Sequence, residues 1–202
     1  MTAIPQHPHL QTRLERGVVY ATLNRPEVRN AMTRDMVAAI GALFDAVHDD
    51  RAVRAIVLRG AGGHFCAGGD LNWMRSMADY TREQNMADAA LLSGMLQAIY
   101  TCPKPTIAAI HGDVFAGGMG LVAACDMAVA ADNARFCQME AKRGIAPLGG
   151  FQLGLGIGQA RPCVDQLGLG GARLGSGAMP FLTPLFLQVA MYVLWQRKRF
   201  SI

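Results

Sequence analysis

Several absences bound this chain before any motif is considered. Its five cysteines, Cys66, Cys102, Cys125, Cys137 and Cys163, are odd in number and include no C-x-x-C pair. That argues against a disulfide framework or a zinc site, and for a reducing compartment. No G-x-G-x-x-G follows the first strand-like run, with an acid some 20 residues beyond, so a dinucleotide-binding fold has no support. No apolar run reaches the roughly 20 residues of a bilayer span. The nearest, Met179 to Trp195, is interrupted by Pro180, Thr183, Pro184 and Gln188. The opening MTAIPQHPHLQTRLERG lacks the shape of a signal peptide, so a cytoplasmic protein with no membrane partner is expected. Charged residues are scarce, at 17%, against roughly 25% in an average soluble chain. Acids are scarcest of all beyond residue 140, where Asp165 is the single one. The net charge of +4 therefore belongs to the tail, and no nucleic-acid partner is expected.

What is present is a hydrophobic content of 51% over 202 residues, enough for one real core. Val18 to Leu23 reads as a strand broken by Asn24-Arg25-Pro26. Thr33 can cap a helix reaching about His48, with Met36, Val37, Ile40, Leu43, Phe44 and Val47 on one stripe. Ala55 to Arg59 is a buried strand ending in glycines. A helix follows from about Thr81 to Tyr100, stopped by Pro103 and Pro105. Thr106 to Ile110 is another buried strand, then a glycine turn, a helix from about Gly118 to Cys125, and a strand from Met127 to Ala131. Apolar strands alternating with helices indicate an α/β architecture with covered sheets. After Gly150 the pattern is lost. Residues 144–177 hold 11 glycines, and the end is basic. Residues 1–150 are thus expected to form the folded core, and 151–202 a divergent Gly-rich tail.

Three segments carry chemistry. In GAGGHFCAGGDLNW (60–73) a strand ends in glycines and Ala67-Gly68-Gly69-Asp70 opens a helix. Small residues let a ligand approach the backbone, the first N–H groups of a helix lack partners, and Asp70 can cap that start. In IHGDVFAGGMGLVAACD (110–126) a second strand runs into Gly117-Gly118 and a helix. Two such N–H groups converging on one carbonyl oxygen would make an oxyanion hole. In ARFCQMEAKRGIAP (134–147) Glu140 sits among uncharged neighbours, where a carboxylate can gain a raised pKa and move a proton. His64 and His111, which flank the glycine turns, read as structural or solvent-facing histidines. No metal site is expected.

Together with LNRPEVRNAM at 23–32, these segments resemble in order and spacing the crotonase (enoyl-CoA hydratase/isomerase) superfamily. DLNWM at 70–74 and GGMGLVAACD at 117–126 look most like its methylglutaconyl-CoA hydratase-like subgroup. The resemblance implies a ClpP/crotonase spiral of repeated ββα units and a homo-oligomer, trimer or dimer of trimers. It implies an acyl-CoA thioester substrate and no separate cofactor, coenzyme A being part of the substrate. Gly69 and Gly117 would supply the two N–H donors. Ala67, Gly69, Asp70, Leu71, Asn72 and Gly117 would line the acyl-CoA site, and Glu140 would handle protons in hydration of a 2-enoyl-CoA.

Two departures stand beside the likeness. Family hydratases commonly carry a second glutamate 20 residues before the one matched by Glu140, and that position here is Gly120. Either Glu140 performs both proton transfers, or another group such as Asp113 assists, or the reaction is a double-bond shift needing one base. And after IAPLGG the family's C-terminal helical part cannot be followed. A lost acid content and excess glycine are what a shifted reading frame produces, so the C-terminal part is expected to be truncated or aberrant. A crotonase-like protein that at most binds CoA esters is the competing reading.

Overall fold

The computed structural model describes residues 4–137. The expected boundary at Gly150, the apolar run at 179–195 and Glu140 lie outside the described residues. Within them, the elements are β1 (Leu10–Glu15), β2 (Val18–Leu23), α1 (Arg34–Val47), β3 (Ala55–Gly60), α2 (Leu71–Ser76), α3 (Arg82–Tyr100), β4 (Thr106–Ile110), β5 (Asp113–Phe115), α4 (Gly117–Ala124), β6 (Met127–Ala130) and β7 (Arg135–Cys137). Among the described residues no helix is long and apolar enough to cross a membrane.

The main sheet has the order β1-β2-β3-β4-β6. β1 pairs antiparallel with β2, Leu10 facing Leu23, and every later pair is parallel. A second, smaller ladder runs beside it. β5 pairs parallel with β7, and parallel bridges join Met32 to Gly69 and Cys66 to Val114. Each long strand is therefore followed by a short extended piece in the second ladder. β2 leads to Met32 and α1, β3 to 66–69 and α2, β4 to β5 and α4, and β6 to β7. This is the repeated strand–strand–helix unit of an α/β spiral.

The long elements form for the reasons their sequences suggest. Thr33 caps α1, accepting a hydrogen bond from the Met36 amide. The six stripe residues Met36, Val37, Ile40, Leu43, Phe44 and Val47 are all buried, each worth about 1.5–3 kcal/mol on leaving water. α3 opens on a capping box in which Thr81 and Gln84 satisfy each other's amides. α1 and α3 approach closely at Gly41, where a Cβ would lie 3.7 Å from the Met95 Cα. Asp126, just past α4, binds the amide and hydroxyl of Thr106 at 2.9 and 2.8 Å and so ties β4 to the start of β6.

One expectation needs correction. β6 was expected to lie in a covered sheet, yet Met127 is 49% and Val129 65% exposed. β6 is the last strand of the sheet, so among the described residues only β4 pairs with it. An apolar strand at a sheet edge reads like a covered one, because composition carries no information on what lies outside it.

Candidate active site

The first glycine turn follows β3. Its path is set by backbone hydrogen bonds to the loop after β2. The Met32 amide donates to the Gly68 carbonyl at 2.7 Å, the Asp70 amide to the Met32 carbonyl at 2.8 Å, and the Ala67 amide to the Arg29 carbonyl at 2.9 Å. Gly69 falls between two of these and its own N–H takes no partner among the described residues. The loop before it is shaped by Asn30, fully buried and at φ +57°. Its side chain accepts from the Arg25 amide and donates to the carbonyls of Ala61 and His64. A short polar side chain suits that left-handed backbone.

The second turn precedes α4. Ala116 stands at its N-cap with φ +48°, a conformation strained for a residue with a Cβ, and gives the helix no side-chain cap. The N–H of Gly117, first in the helix, has no intrahelical acceptor and no other partner among the described residues. The two turns press together. A Cβ on Gly68, whose φ is +96°, would lie 2.9 Å from the Ala116 Cβ and 3.1 Å from the Gly117 nitrogen. A Cβ on Gly117 would lie 3.8 Å from the Gly69 nitrogen, and one on Gly118 would collide with the Cys66 carbonyl at 2.6 Å. Two unpartnered N–H groups, 48 positions apart in sequence, are thus brought side by side at the mouth of an uncapped helix. The chemistry such a pair offers is stabilisation of negative charge on one oxygen.

The side chains around the pair divide into structural and open ones. Asp70 caps α2 as its position in the sequence suggested, accepting from the amides of Asn72 at 2.8 Å and Trp73 at 3.3 Å. Its other oxygen pairs with Arg25 at 2.8 Å. Burial alone would raise the Asp70 pKa, but the Arg25 guanidinium and the two amides outweigh it and hold the carboxyl below its ordinary range. With both oxygens taken, Asp70 shapes the turn rather than offering a side chain to a ligand. Trp73 is fixed from behind, its indole N–H donating at 2.9 Å to buried Asp88, which also holds Arg34 at 2.7 Å. Leu71 and Asn72 are exposed at the start of α2, and Ala67 is half-buried. Leu71 and Met74 are exposed apolar groups, and the Met74 sulfur lies 3.6 Å from the Cβ position of Gly69. Met74 thus gives the Gly69 turn an apolar neighbour.

Cys66, between the turns, is fully buried, and burial pushes its thiol up to about 12. It donates to the Asn30 carbonyl and accepts from the Gly68 amide, so it fills space and is no nucleophile. His64 faces Asp113 and His111 holds the Gly62 carbonyl, both structural contacts. Gly120 lies on the side of α4 facing Leu96 of α3, whose methyl carbons are 3.7 Å from its Cβ position. Among the described residues no group of three or more His, Cys, Asp or Glu side chains could hold a metal.

The model of the enoyl-CoA hydratase/isomerase family matches residues 13–160. The chain belongs to that family. An enoyl-CoA hydratase of Alternaria alternata is 37% identical over 131 residues, covering 65% of this chain and 42% of its own length. Among solved structures, an enoyl-CoA hydratase of Mycobacterium smegmatis is 44% identical with a TM-score of 0.63, over 68% of this chain and 53% of that one. One from Shewanella pealeana is 34% identical with a TM-score of 0.66, over 69% and 53%. The α/β fold described above is the crotonase fold of these neighbours. The chain spans about half the length of the relatives it matches.

The sequence singles out Gly69, Gly117 and the Asp70 cap but gives no role to Arg25, Asn30 or Asp88. A polar residue between apolar ones, as Asp88 is between Ala87 and Ala89 on α3, was the available signal.

Two predictions follow from these contacts. Gly68→Ala should lose about 2–4 kcal/mol in urea unfolding, from its left-handed backbone and the collision with Ala116. Gly63→Ala, where a Cβ meets nothing within 4 Å, should stay within about 0.5 kcal/mol. Because the folded-state pKa of Asp70 is depressed, its stabilisation is complete above the ordinary carboxylate pKa of about 4 and is lost as pH falls through the lower folded value. Asp70→Asn keeps the cap and loses the charge. Its stability deficit against wild type should therefore shrink as pH is lowered below about 4.

Proposed function

We propose that the chain binds the thioester carbonyl of an acyl-CoA between the N–H groups of Gly69 and Gly117 and hydrates a 2-enoyl-CoA, with Glu140 as the proton-transferring residue. The observation that carries this is the pair of unpartnered amides pressed together at the uncapped start of α4. Adding water to a conjugated thioester, or moving its double bond, passes through an enolate whose charge rests on the carbonyl oxygen. One fixed donor to such an oxygen is worth roughly 3 kcal/mol of barrier. The exposed Leu71 and Met74 beside Gly69 suit an apolar acyl chain, and the DLNWM and GGMGLVAACD segments favour a methylglutaconyl-type substrate. Coenzyme A is part of the substrate and no further cofactor enters the reaction. A homo-oligomer of trimeric type belongs to the same reading.

Glu140 enters through the family resemblance, at the position of that family's proton-transferring glutamate. Cys137, three residues earlier, accepts a hydrogen bond from the Ala116 amide at 3.0 Å. A second reading, a single-base double-bond isomerase, is favoured by one observation. Gly120 offers no carboxylate, and its Cβ position faces Leu96 rather than a polar partner.

Both are tested by the ultraviolet absorbance of the conjugated thioester. With a short 2-enoyl-CoA, wild type should remove the absorbance by hydration, and Glu140→Gln should do so about 10²–10⁴-fold more slowly. With the 3-enoyl isomer, absorbance that appears and stays marks the isomerase. Equal rates for wild type and Glu140→Gln would remove Glu140 from the mechanism. No turnover while CoA esters still bind would identify a non-catalytic binder.

A further inference from the structure

The mechanism makes no use of the most deeply buried charge in the described residues. Asp113, first residue of β5, has no exposure. A carboxylate removed from water must be compensated, or it costs several kcal/mol. Three basic side chains surround it. Arg135 contacts one oxygen, and His64 at 3.1 Å and Arg29 at 3.7 Å the other. The two arginine contacts are ionic, neither oxygen receiving an aligned hydrogen bond among the described residues, while the His64 Nδ1 also accepts the Asp113 amide at 3.3 Å.

The places of the three bases matter more than their charge. Arg29 carries the carbonyl that holds the Ala67 amide, and so the first glycine turn. His64 directly precedes Phe65 and Cys66, whose amides both donate to the Asp113 carbonyl at 3.1 Å. Arg135 opens β7, which ends at Cys137, the residue whose carbonyl holds the Ala116 amide before Gly117. β5 itself runs from Asp113 into the second turn, and its Phe115 amide donates to the Cys66 carbonyl at 2.9 Å. One buried carboxylate thus draws together every segment that fixes the Gly69 amide against the Gly117 amide.

We propose that Asp113 is a positioning residue for the donor pair, setting the mutual geometry of the Gly69 and Gly117 N–H groups through Arg29, His64 and Arg135. It touches no substrate. The proposal rests on the reading that these two amides hold a thioester carbonyl. Its signature is separable from binding: with Asp113 altered, the acyl-CoA still docks but its carbonyl is less polarised. A displacement of about 1 Å in such a site costs up to about 10²-fold in rate.

The test uses the full chain and 4-dimethylaminocinnamoyl-CoA, an enoyl thioester whose absorption band moves to the red when its carbonyl is polarised. Asp113→Asn preserves shape and removes the charge. It should bind the probe within about threefold of wild type, with the red shift at least halved. With a substrate that wild type turns over, kcat should fall about tenfold or more at nearly constant KM. A wild-type red shift in folded Asp113→Asn overturns the proposal. So does loss of probe binding in parallel with the shift, which marks a general role in folding. Should circular dichroism show that Asp113→Asn does not fold, Arg135→Gln carries the test, its side chain being 67% exposed. A reduced shift there supports the role, and an undiminished one overturns it. A wild-type chain that binds the probe with no red shift overturns the carbonyl-holding reading itself, and the positioning role with it.

Discussion

The structure depends on one steric constraint: two chain turns must touch with no side chain between them. Gly68 and Gly118 meet that constraint by having no Cβ, where a methyl group would lie within 3 Å of the other turn. Everything else that distinguishes the site follows from the closeness. With the turns in contact, the amides of Gly69 and Gly117 lie close together. With α4 left uncapped by Ala116, its first amides are free of a side-chain cap. A side chain able to cap the helix would take those amides itself.

Closeness of this kind has to be enforced, because the glycines that permit it also enlarge the unfolded ensemble. The enforcement is polar and mostly buried. Asn30 shapes the loop that receives the first turn, Arg25 and Asp70 lock the start of α2, and Asp88 holds Trp73 against Arg34. Asp113 lies beneath both turns. The second ladder of short strands gives these groups their register, while the main sheet and the α1 and α3 faces supply the apolar core.

Much of this was legible in the chain. β2, α1, β3, α3 and β4 announce themselves by long apolar periods and by caps such as Thr33, and the structure places them within a residue or so of their expected ends. The strand–glycine–helix turns that carry Gly69 and Gly117 were legible as such, and a donor role for their amides comes from the resemblance those segments carry. What was not legible is short or relational. β5 and β7 are three residues each, too short for any period. β1 has only Leu10 and Leu14 as apolar residues and owes its place to pairing with β2. The convergence of Arg29, His64 and Arg135 on Asp113 spans more than 100 residues of chain, and no local pattern signals it. The exposure of β6 depends on what lies beyond the sheet edge, which its own composition does not encode.

The central claim is that Gly69 and Gly117 grip a carbonyl oxygen. It is tested most directly by infrared difference spectroscopy of the full chain with an acyl-CoA carrying carbon-13 at the thioester carbonyl. Two hydrogen bonds to that oxygen weaken the C=O bond, so the isotope-marked band should move to lower frequency on binding. A bound acyl-CoA whose carbonyl band stays at its solution frequency would contradict the account.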